Sequence, residues 1–308
     1  WDLLRRKVAN LGVRYEISKQ WVDYYTDGGK AERSELNKND LFPSLNMKYQ
    51  MNEKNSLRFA FSRTVTRPSF IEMAPFLYQE SYGSAQIRGN ADLQNGYNYN
   101  IDLRYELFEK NGDMLSITAY YKHLKAPIER VQTLSGGSAV HSFRNADNGM
   151  ATGVEIEFRK EIVKDLRFGV NGSYMYTNVK LPEGGAYTNS QRALQGASPY
   201  LANADLSYSP AFSNDRQLSV ALLYNLQGPR IHSVGISGLG DIKQQPVHTL
   251  NFTGSYRFNR RFAVKLQVND LLNQDILFKQ EVPTTGDKVE VERFRKGTGF
   301  EVGFSYDL

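Results

Sequence analysis

Residues 299–308 read GFEVGFSYDL, and this stretch decides the fold. Its apolar residues alternate with small or polar ones, so that Phe300, Val302, Phe304, Tyr306 and Leu308 share one parity. Successive side chains of a β-strand point to opposite faces of a sheet, and this strand therefore has one wholly apolar face. A transmembrane β-barrel turns such a face to lipid, whereas an aromatic edge strand in a soluble sandwich invites aggregation. The stretch alone leaves both architectures open.

The composition favours the barrel. The chain has 308 residues, 40% of them hydrophobic, and a mean hydropathy of −0.52, yet it holds 19 tyrosines and 17 phenylalanines. Outer-membrane barrels combine these properties because half of each strand faces water while aromatic residues line the lipid boundaries. No apolar run of about 18 residues predicts a membrane-spanning helix, and the first residues lack the apolar core of a signal peptide. The absence of cysteine excludes disulfides, and a dispersed net charge of +5 gives no support for nucleic-acid binding.

Period-two alternation recurs along the chain and predicts about twelve strands, with no sustained helical period. The segments are 11–18, 45–51, 57–62, 101–107, 115–121, 154–159, 166–176, 200–208, 218–226, 250–258, 262–268 and 299–308. Short turns rich in Asn, Asp, Gly or charge are expected at 52–55, 109–113, 163–165, 211–215 and 259–261. Long connections are expected at 26–40, 68–96, 127–150, 180–197, 228–245 and 274–293.

The alternation of short and long connections is typical of a transmembrane barrel, whose short turns face the periplasm and whose long loops face outside. A strand that follows a short turn then runs outward, and the last strand runs inward. We therefore expect a periplasmic C-terminus and extracellular long connections. A soluble sandwich has no reason to place every long connection at the same end.

Strand parity assigns each side chain to lipid or lumen. A Lys or Arg facing lipid at the midplane would cost roughly 2–4 kcal/mol, so the charges are expected on the lumen parity. The lumen-facing set is Asp102, Arg104, Glu106, Glu155, Glu157, Arg159, Asn203, Asp205, Lys265 and Gln267. The lipid-facing set is Leu103, Tyr105, Leu107, Val154, Ile156, Phe158, Leu250, Phe252, Tyr256, Phe258, Phe304 and Tyr306.

Several short motifs occur in a fixed order along nearly the whole chain. They are LFPSLNMKY at 41–49 with the segment 57–70, RGNADL at 88–93, NAD at 145–147 followed by GVEIE at 153–157, LQGASPY at 194–200 and VNDLLNQD at 268–275. In this series the chain resembles the barrel of TonB-dependent outer-membrane receptors of the Bacteroidetes type. Ala91 departs from the family pattern, which usually has Pro at that place.

The resemblance implies a barrel of about 22 strands with a plug domain in its lumen, driven by the TonB complex through the plug. The chain departs from the family because it holds only about twelve strands, with neither a plug nor a TonB box. We therefore expect an all-β, antiparallel transmembrane barrel domain over residues 1–308 that supplies about the last twelve strands. The plug and the remaining strands are expected in the same or a separate chain. Outer-membrane lipid and lipopolysaccharide and a surface lipoprotein are further expected partners, and no cofactor is implied.

Candidate ligand-binding residues lie in two of the long connections. They are Phe76, Tyr78, Tyr82 and Arg88 in the first, and Tyr187 and Arg192 in the second. Loops of this length are often functional, and recognition surfaces favour aromatic and Arg side chains. The alternative is that these residues pack loop against loop. No motif distinguishes an iron chelate, a cobalamin, a glycan or a peptide as the ligand.

Catalytic motifs are missing from the sequence. The histidines at 123, 141, 232 and 248 lack a metal-ligand spacing, and no Gly-x-Ser-x-Gly elbow occurs. Together with the strand parity and the motif series, this favours the receptor and transporter that the resemblance implies over an enzyme. Two alternatives stay open. One is a self-contained twelve-stranded channel or lipid hydrolase, which would need a Ser/His pair at the rim, and the other is a receptor-like barrel that acts as a scaffold for partner proteins.

Overall fold

The computed structural model describes residues 6–26, 28–79, 86–109, 111–135, 138–182, 187–212, 215–236 and 238–307. Strands and one short helix account for most of these ranges. They are β1 (Lys7–Tyr25), β2 (Ala31–Gln50), β3 (Asn55–Thr66), α1 (Phe70–Met73), β4 (Leu77–Tyr78), β5 (Ile87–Arg88), β6 (Gly96–Phe108), β7 (Met114–Lys125), β8 (Ile128–Ser135), β9 (Ser138–Asn145), β10 (Asn148–Val163), β11 (Leu166–Lys180), β12 (Gln191–Arg192), β13 (Tyr200–Tyr208), β14 (Gln217–Gln227), β15 (Arg230–Ser233), β16 (Ile242–Gln244), β17 (Val247–Arg257), β18 (Phe262–Asn269), β19 (Ile276–Val282), β20 (Asp287–Phe294) and β21 (Gly299–Tyr306).

Twelve of these strands form one antiparallel meander, called the wall below. Its order is β1-β2-β3-β6-β7-β10-β11-β13-β14-β17-β18-β21, and β12 adds a two-residue ladder to β11. Each of the twelve strands predicted from the sequence overlaps one strand of the wall, so the all-β antiparallel prediction is confirmed. Among the described residues no pairing joins β1 to β21, and both are edge strands.

The predicted long connection at 26–40 is wrong. β2 begins at Ala31, and its ladder with β1 runs without a break from the pair Tyr25 and Ala31 to the pair Lys7 and Tyr49. The reason is that residues 31–40 themselves alternate, with Ser34, Leu36 and Asp40 buried on one face. Because these residues are mostly polar, the sequence does not indicate a strand here. The connection between β1 and β2 covers only residues 26–30.

The other five long connections are confirmed and have structure of their own. They cover residues 67–95, 126–147, 181–199, 228–246 and 270–298. Sheet β4-β5-β9-β8 joins the first to the second, and sheet β15-β16-β19-β20 joins the fourth to the fifth. Because the wall pairs its strands strictly in chain order, all five connections leave from the same end, while short turns close the other end.

The two faces of the wall differ in chemistry. One face exposes large apolar side chains such as Leu103, Ile156 and Phe304, the last of which is 72% exposed. In β13, Tyr200 and Tyr208 lie on this face eight residues apart, which is about 26 Å at roughly 3.3 Å per residue. That spacing matches an apolar band of about 25 Å between two aromatic girdles. The described residues include no helix long and apolar enough to cross a membrane.

Candidate ligand-binding site at the long-connection end

The five long connections pack into one body, called the loop layer and defined by residues 67–95, 126–147, 181–199, 228–246 and 270–298. Its apolar centre comes from three connections and the end of β11. The buried residues are Val131, Ala146, Val179, Leu181 and Val234, and Tyr187 and Leu194 pack against them. The connections are therefore held against one another by burial as well as by the two small sheets, which fixes the polar groups that they carry.

A buried ion pair links two of the connections. Arg192 Nη2 lies 2.8 Å from Glu129 Oε2, and the two side chains are 3% and 2% exposed. Arg192 Nη1 also donates a hydrogen bond to the carbonyl oxygen of Ala193 at 3.0 Å. Burial raises the pKa of Glu129 above its ordinary value, although the neighbouring Arg192 acts in the opposite direction. Arg192 Nε has no hydrogen-bond partner among the described residues.

A buried histidine lies where three connections meet. His141 pairs with Ile87 of β5, its Nδ1 accepts a hydrogen bond from Arg130 Nε at 2.9 Å, and its Nε2 lies 3.2 Å from Ser233 Oγ. Burial, reinforced by the positive charge of Arg130 and by His232, lowers the pKa of His141 to about 4. The ring is therefore neutral near pH 7. Because Nδ1 accepts from Arg130, the single ring proton resides on Nε2.

Gln195 of the LQGASPY motif ties the ion pair to the neighbouring connections. Its Oε1 accepts from the backbone N–H of Arg130 at 2.8 Å, and its own N–H donates to Glu129 Oε2 at 3.4 Å. Its Nε2 donates to the carbonyl oxygen of His232. The next residue, Gly196, has a φ of +75°, a conformation that favours glycine. The LQGASPY motif therefore links its own connection to the connections that carry Arg130 and His232, a role that sequence reasoning missed.

Three predicted ligand-binding residues lie in or next to the short ladder between β4 and β5. The rings of Phe76 and Tyr78 lie 5.7 Å apart. Arg88 pairs with Leu77, so its side chain lies on the face of the ladder opposite Tyr78. Phe76 and Arg88 are exposed, and Tyr78 is partly buried. Tyr82 lies outside the described residues. As ligand contacts, all four residues stay predictions.

Tyr187 and Arg192 lie apart from that ladder and inside the loop layer. Tyr187 forms a bridge to Ile236 and packs against the apolar centre, while Arg192 holds Glu129. The structure thus gives both residues packing partners from other connections. Whether a ligand also reaches them is untested, and they too stay predictions.

The charged residues predicted to face the lumen lie on the polar face of the wall. Arg58, Arg104, Glu106, Glu157 and Arg159 form a charge belt across β3, β6 and β10. Glu106 is 2.7 Å from Arg58 and 3.0 Å from Arg104, and Glu157 is 2.8 Å from Arg159 and 3.8 Å from Arg104. These contacts show that the five side chains share one face of the sheet.

Two further members of the predicted set lie beside the belt. Glu155 lines a cavity of about 340 Å³ together with Arg104 and Glu157. Asp205 covers the backbone of Gly169, where an added Cβ would meet its Oδ1 at 2.2 Å. That this polar face is the lumen of a closed barrel remains a prediction.

Comparisons with known proteins agree with this architecture. The model of the outer membrane protein beta-barrel family matches residues 7–306, and the chain belongs to that family. The ferric enterobactin receptor of Pseudomonas aeruginosa is 21% identical over 270 residues, which cover 81% of this chain and 35% of the receptor. The family places the chain in the outer membrane.

Solved structures of receptors share the fold. The ferric yersiniabactin uptake receptor FyuA from Yersinia pestis gives a TM-score of 0.67 at 15% identity and covers 100% of this chain and 44% of the receptor. The siderophore receptor PirA from Acinetobacter baumannii gives a TM-score of 0.62 at 15% identity, over 98% of this chain and 43% of the receptor. The chain spans less than half the length of these relatives.

Proposed function

We propose that this member of the outer membrane protein beta-barrel family belongs to a receptor that binds a ferric siderophore at the loop layer and imports it in a TonB-dependent manner. The observation that carries the proposal is the loop layer itself. Five long connections at one end of the wall interlock through buried apolar and charged contacts, as a preorganised binding surface requires. The curated relative and the structural neighbours described above are receptors for ferric siderophores or siderophores.

The proposed ligand contacts are the exposed Phe76 and Arg88, together with Tyr78, whose ring lies beside that of Phe76. A catecholate chelate of Fe(III) carries net negative charge and aromatic rings. A guanidinium group and two aromatic rings suit such a ligand through charge-assisted hydrogen bonds and stacking. The iron is cargo in this proposal, not a resident cofactor.

The remaining strands, the plug and the orientation belong to the same proposal. Within the described part of the chain, the outer edges of β1 and β21 have no strand partner, and a bilayer does not tolerate unpaired edges. We infer that further strands, from the same or a separate chain, close the wall there. The charge belt then faces a plug that contacts the TonB complex, the loop layer lies outside the cell and β21 ends in the periplasm.

The hydrolase alternative meets a specific obstacle. Ser233 and His141 do form a Ser/His pair, but both are buried. In a hydrolytic triad, the histidine donates its Nδ1–H to a carboxylate and uses Nε2 as the base. Here Nδ1 instead accepts from the guanidinium of Arg130, which leaves the proton on Nε2. The pair serves as a contact between loops.

The test of the proposed function is uptake of a radiolabelled ferric catecholate siderophore by cells that do or do not produce the protein. We expect binding and accumulation only in producing cells, with accumulation abolished and surface binding retained after a protonophore. Arg88→Gln should weaken binding, while Arg260→Gln in an exposed turn at the other end should not. Accumulation that ignores the protonophore would indicate a passive channel, and a complete lack of binding would favour the scaffold role.

A further inference from the structure

The wall is interrupted beside β11. The ladder between β11 and β13 ends at the pair Tyr174 and Tyr200, and β11 pairs with β12 only from Val179 onward. Between these points, the described residues form one backbone–backbone hydrogen bond across the gap, from the Met175 N–H to the carbonyl oxygen of Pro199 at 2.8 Å, and the Leu194 N–H donates to Thr177 Oγ1 at 3.0 Å. A cavity of about 620 Å³ occupies this gap. Residues 174–178 of β11 line it, and their side chains belong to both faces of the wall.

This cavity, called the wall cleft, is lined by more basic than acidic side chains. Its lining includes Tyr174, Tyr176, Arg192, Arg230, Asp241 and Lys243. Asp241, the one carboxylate among them, already accepts a hydrogen bond from the backbone N–H of Gly235 at 3.0 Å. Lys243 forms no ion pair with any described residue, and Arg230 Nε donates to the neutral amide of Gln244 at 2.6 Å.

Arg192 adds an observation that points to a ligand. Its side chain is 3% exposed and lines the cleft, and its Nε lacks a hydrogen-bond partner among the described residues. A buried donor without a partner is unfavourable, and an anionic oxygen in the cleft would satisfy it. Guanidinium and ammonium groups together form the donor set that phosphate prefers.

The level of the cleft in the membrane identifies the source of the phosphate. Tyr174 and Tyr176 line the cleft, lie on the apolar face of the wall and are 66% and 54% exposed. With Tyr200 they belong to the aromatic girdle at the long-connection end, and such girdles lie at the membrane–water interface. The cleft therefore opens sideways, where lipid headgroups lie.

We propose that the wall cleft binds the phosphate of a lipid headgroup from the leaflet next to the loop layer, with Arg192, Arg230 and Lys243 as the donors and the two tyrosines against the lipid. This site goes beyond the proposed import function and does not depend on it. A lipid held there would fill the gap in the wall.

The test is native mass spectrometry of the detergent-purified protein with a bisphosphorylated lipid A, its dephosphorylated form and inorganic phosphate. We expect retention of the phosphorylated lipid alone. Lys243→Gln and Arg230→Gln should each weaken its affinity about fivefold, since one basic side chain near a membrane surface contributes about that factor. Lys288→Gln removes another exposed lysine, from β20, and is the control, with less than a twofold change.

Three outcomes would overturn the proposal. The first is equal retention of the phosphorylated and dephosphorylated lipids. The second is a loss of lipid affinity in the Lys288→Gln control as large as that in Lys243→Gln or Arg230→Gln. The third is displacement of the lipid by millimolar inorganic phosphate, which would assign the cleft to a soluble anion. Siderophore uptake is measured separately, in cells that produce the wild-type protein, so that a receptor without import activity still reports on lipid binding.

Discussion

Two ion pairs of equal length lie in very different surroundings. Glu157 and Arg159 of the wall are 2.8 Å apart, with side chains 27% and 65% exposed, whereas Glu129 and Arg192 of the loop layer are also 2.8 Å apart but 2% and 3% exposed. An exposed pair contributes about 0–1 kcal/mol, while breaking a buried pair costs about 3–5 kcal/mol. Such exposed pairs therefore add little to the wall, which its ladders hold together, and the loop layer depends on a few buried polar contacts.

The largest effect is expected from Glu129→Gln. The change leaves the buried Arg192 charge uncompensated, and local opening of the loop layer should become easier by about 3–5 kcal/mol. Hydrogen exchange of residues 128–132 and 191–199 measures this directly, while the wall strands should keep their protection. The double variant Glu129→Leu with Arg192→Met should recover most of the loss, and wild-type exchange in the single variant would refute the buried-pair account.

A charge on the apolar face of the wall is expected to have the next largest effect. Ile156→Arg should destabilise the wall by about 2–4 kcal/mol, because the guanidinium would face lipid. Urea-induced unfolding in lipid vesicles measures the change. Thr118→Arg places the same charge on the polar face in a neighbouring strand, where Thr118 pairs with Glu155. An equal cost at both positions would contradict the two-faced wall.

Acid should loosen the loop layer through His141. Its pKa falls from 6.5 in the unfolded chain to about 4 in the fold, so the stabilisation is complete above pH 6.5 and is lost as the pH falls toward 4. Between pH 7 and pH 5 the free energy of local opening of the loop layer should fall by about 2 kcal/mol. Hydrogen exchange at residues 128–132, corrected for the intrinsic rate, should show it. The His141→Gln variant should respond little to pH, and an equal response in both proteins would assign the effect to another group.

The smallest effect is expected from Glu157→Gln. The change removes an exposed partner of Arg159, while Arg104 keeps its contact with Glu106 at 3.0 Å. The unfolding free energy in vesicles should fall by less than about 1 kcal/mol. A loss as large as that of Glu129→Gln would show that the charge belt is more deeply buried in the assembled barrel than in this sheet.

Sequence reasoning recovers the wall because a period of two and the cost of charge in lipid are local rules. Each strand shows them within its own residues, as 299–308 does. The error at β2 has the same origin, since residues 31–40 alternate in burial but are mostly polar on both faces. The helix α1 had a readable signal, because Ser69 and Glu72 form a capping box.

The loop layer follows no such local rule. Glu129 and Arg192, or His141 and Ser233, meet only after several connections have folded together. Nothing in the residues near position 129 predicts a partner at 192. The sequence could therefore nominate Arg192 by residue type but could not assign it the role of a buried partner at the edge of a cleft.

The central claim is that the two faces of the wall meet lipid and water, and cysteine accessibility tests it most directly. The chain has no cysteine of its own, so each introduced thiol is the only one among these 308 residues. We predict that Arg104→Cys and Glu157→Cys react with a water-soluble maleimide in native outer membranes, whereas Tyr105→Cys and Ile156→Cys do not. The reverse pattern, or equal labelling at all four positions, would contradict the account.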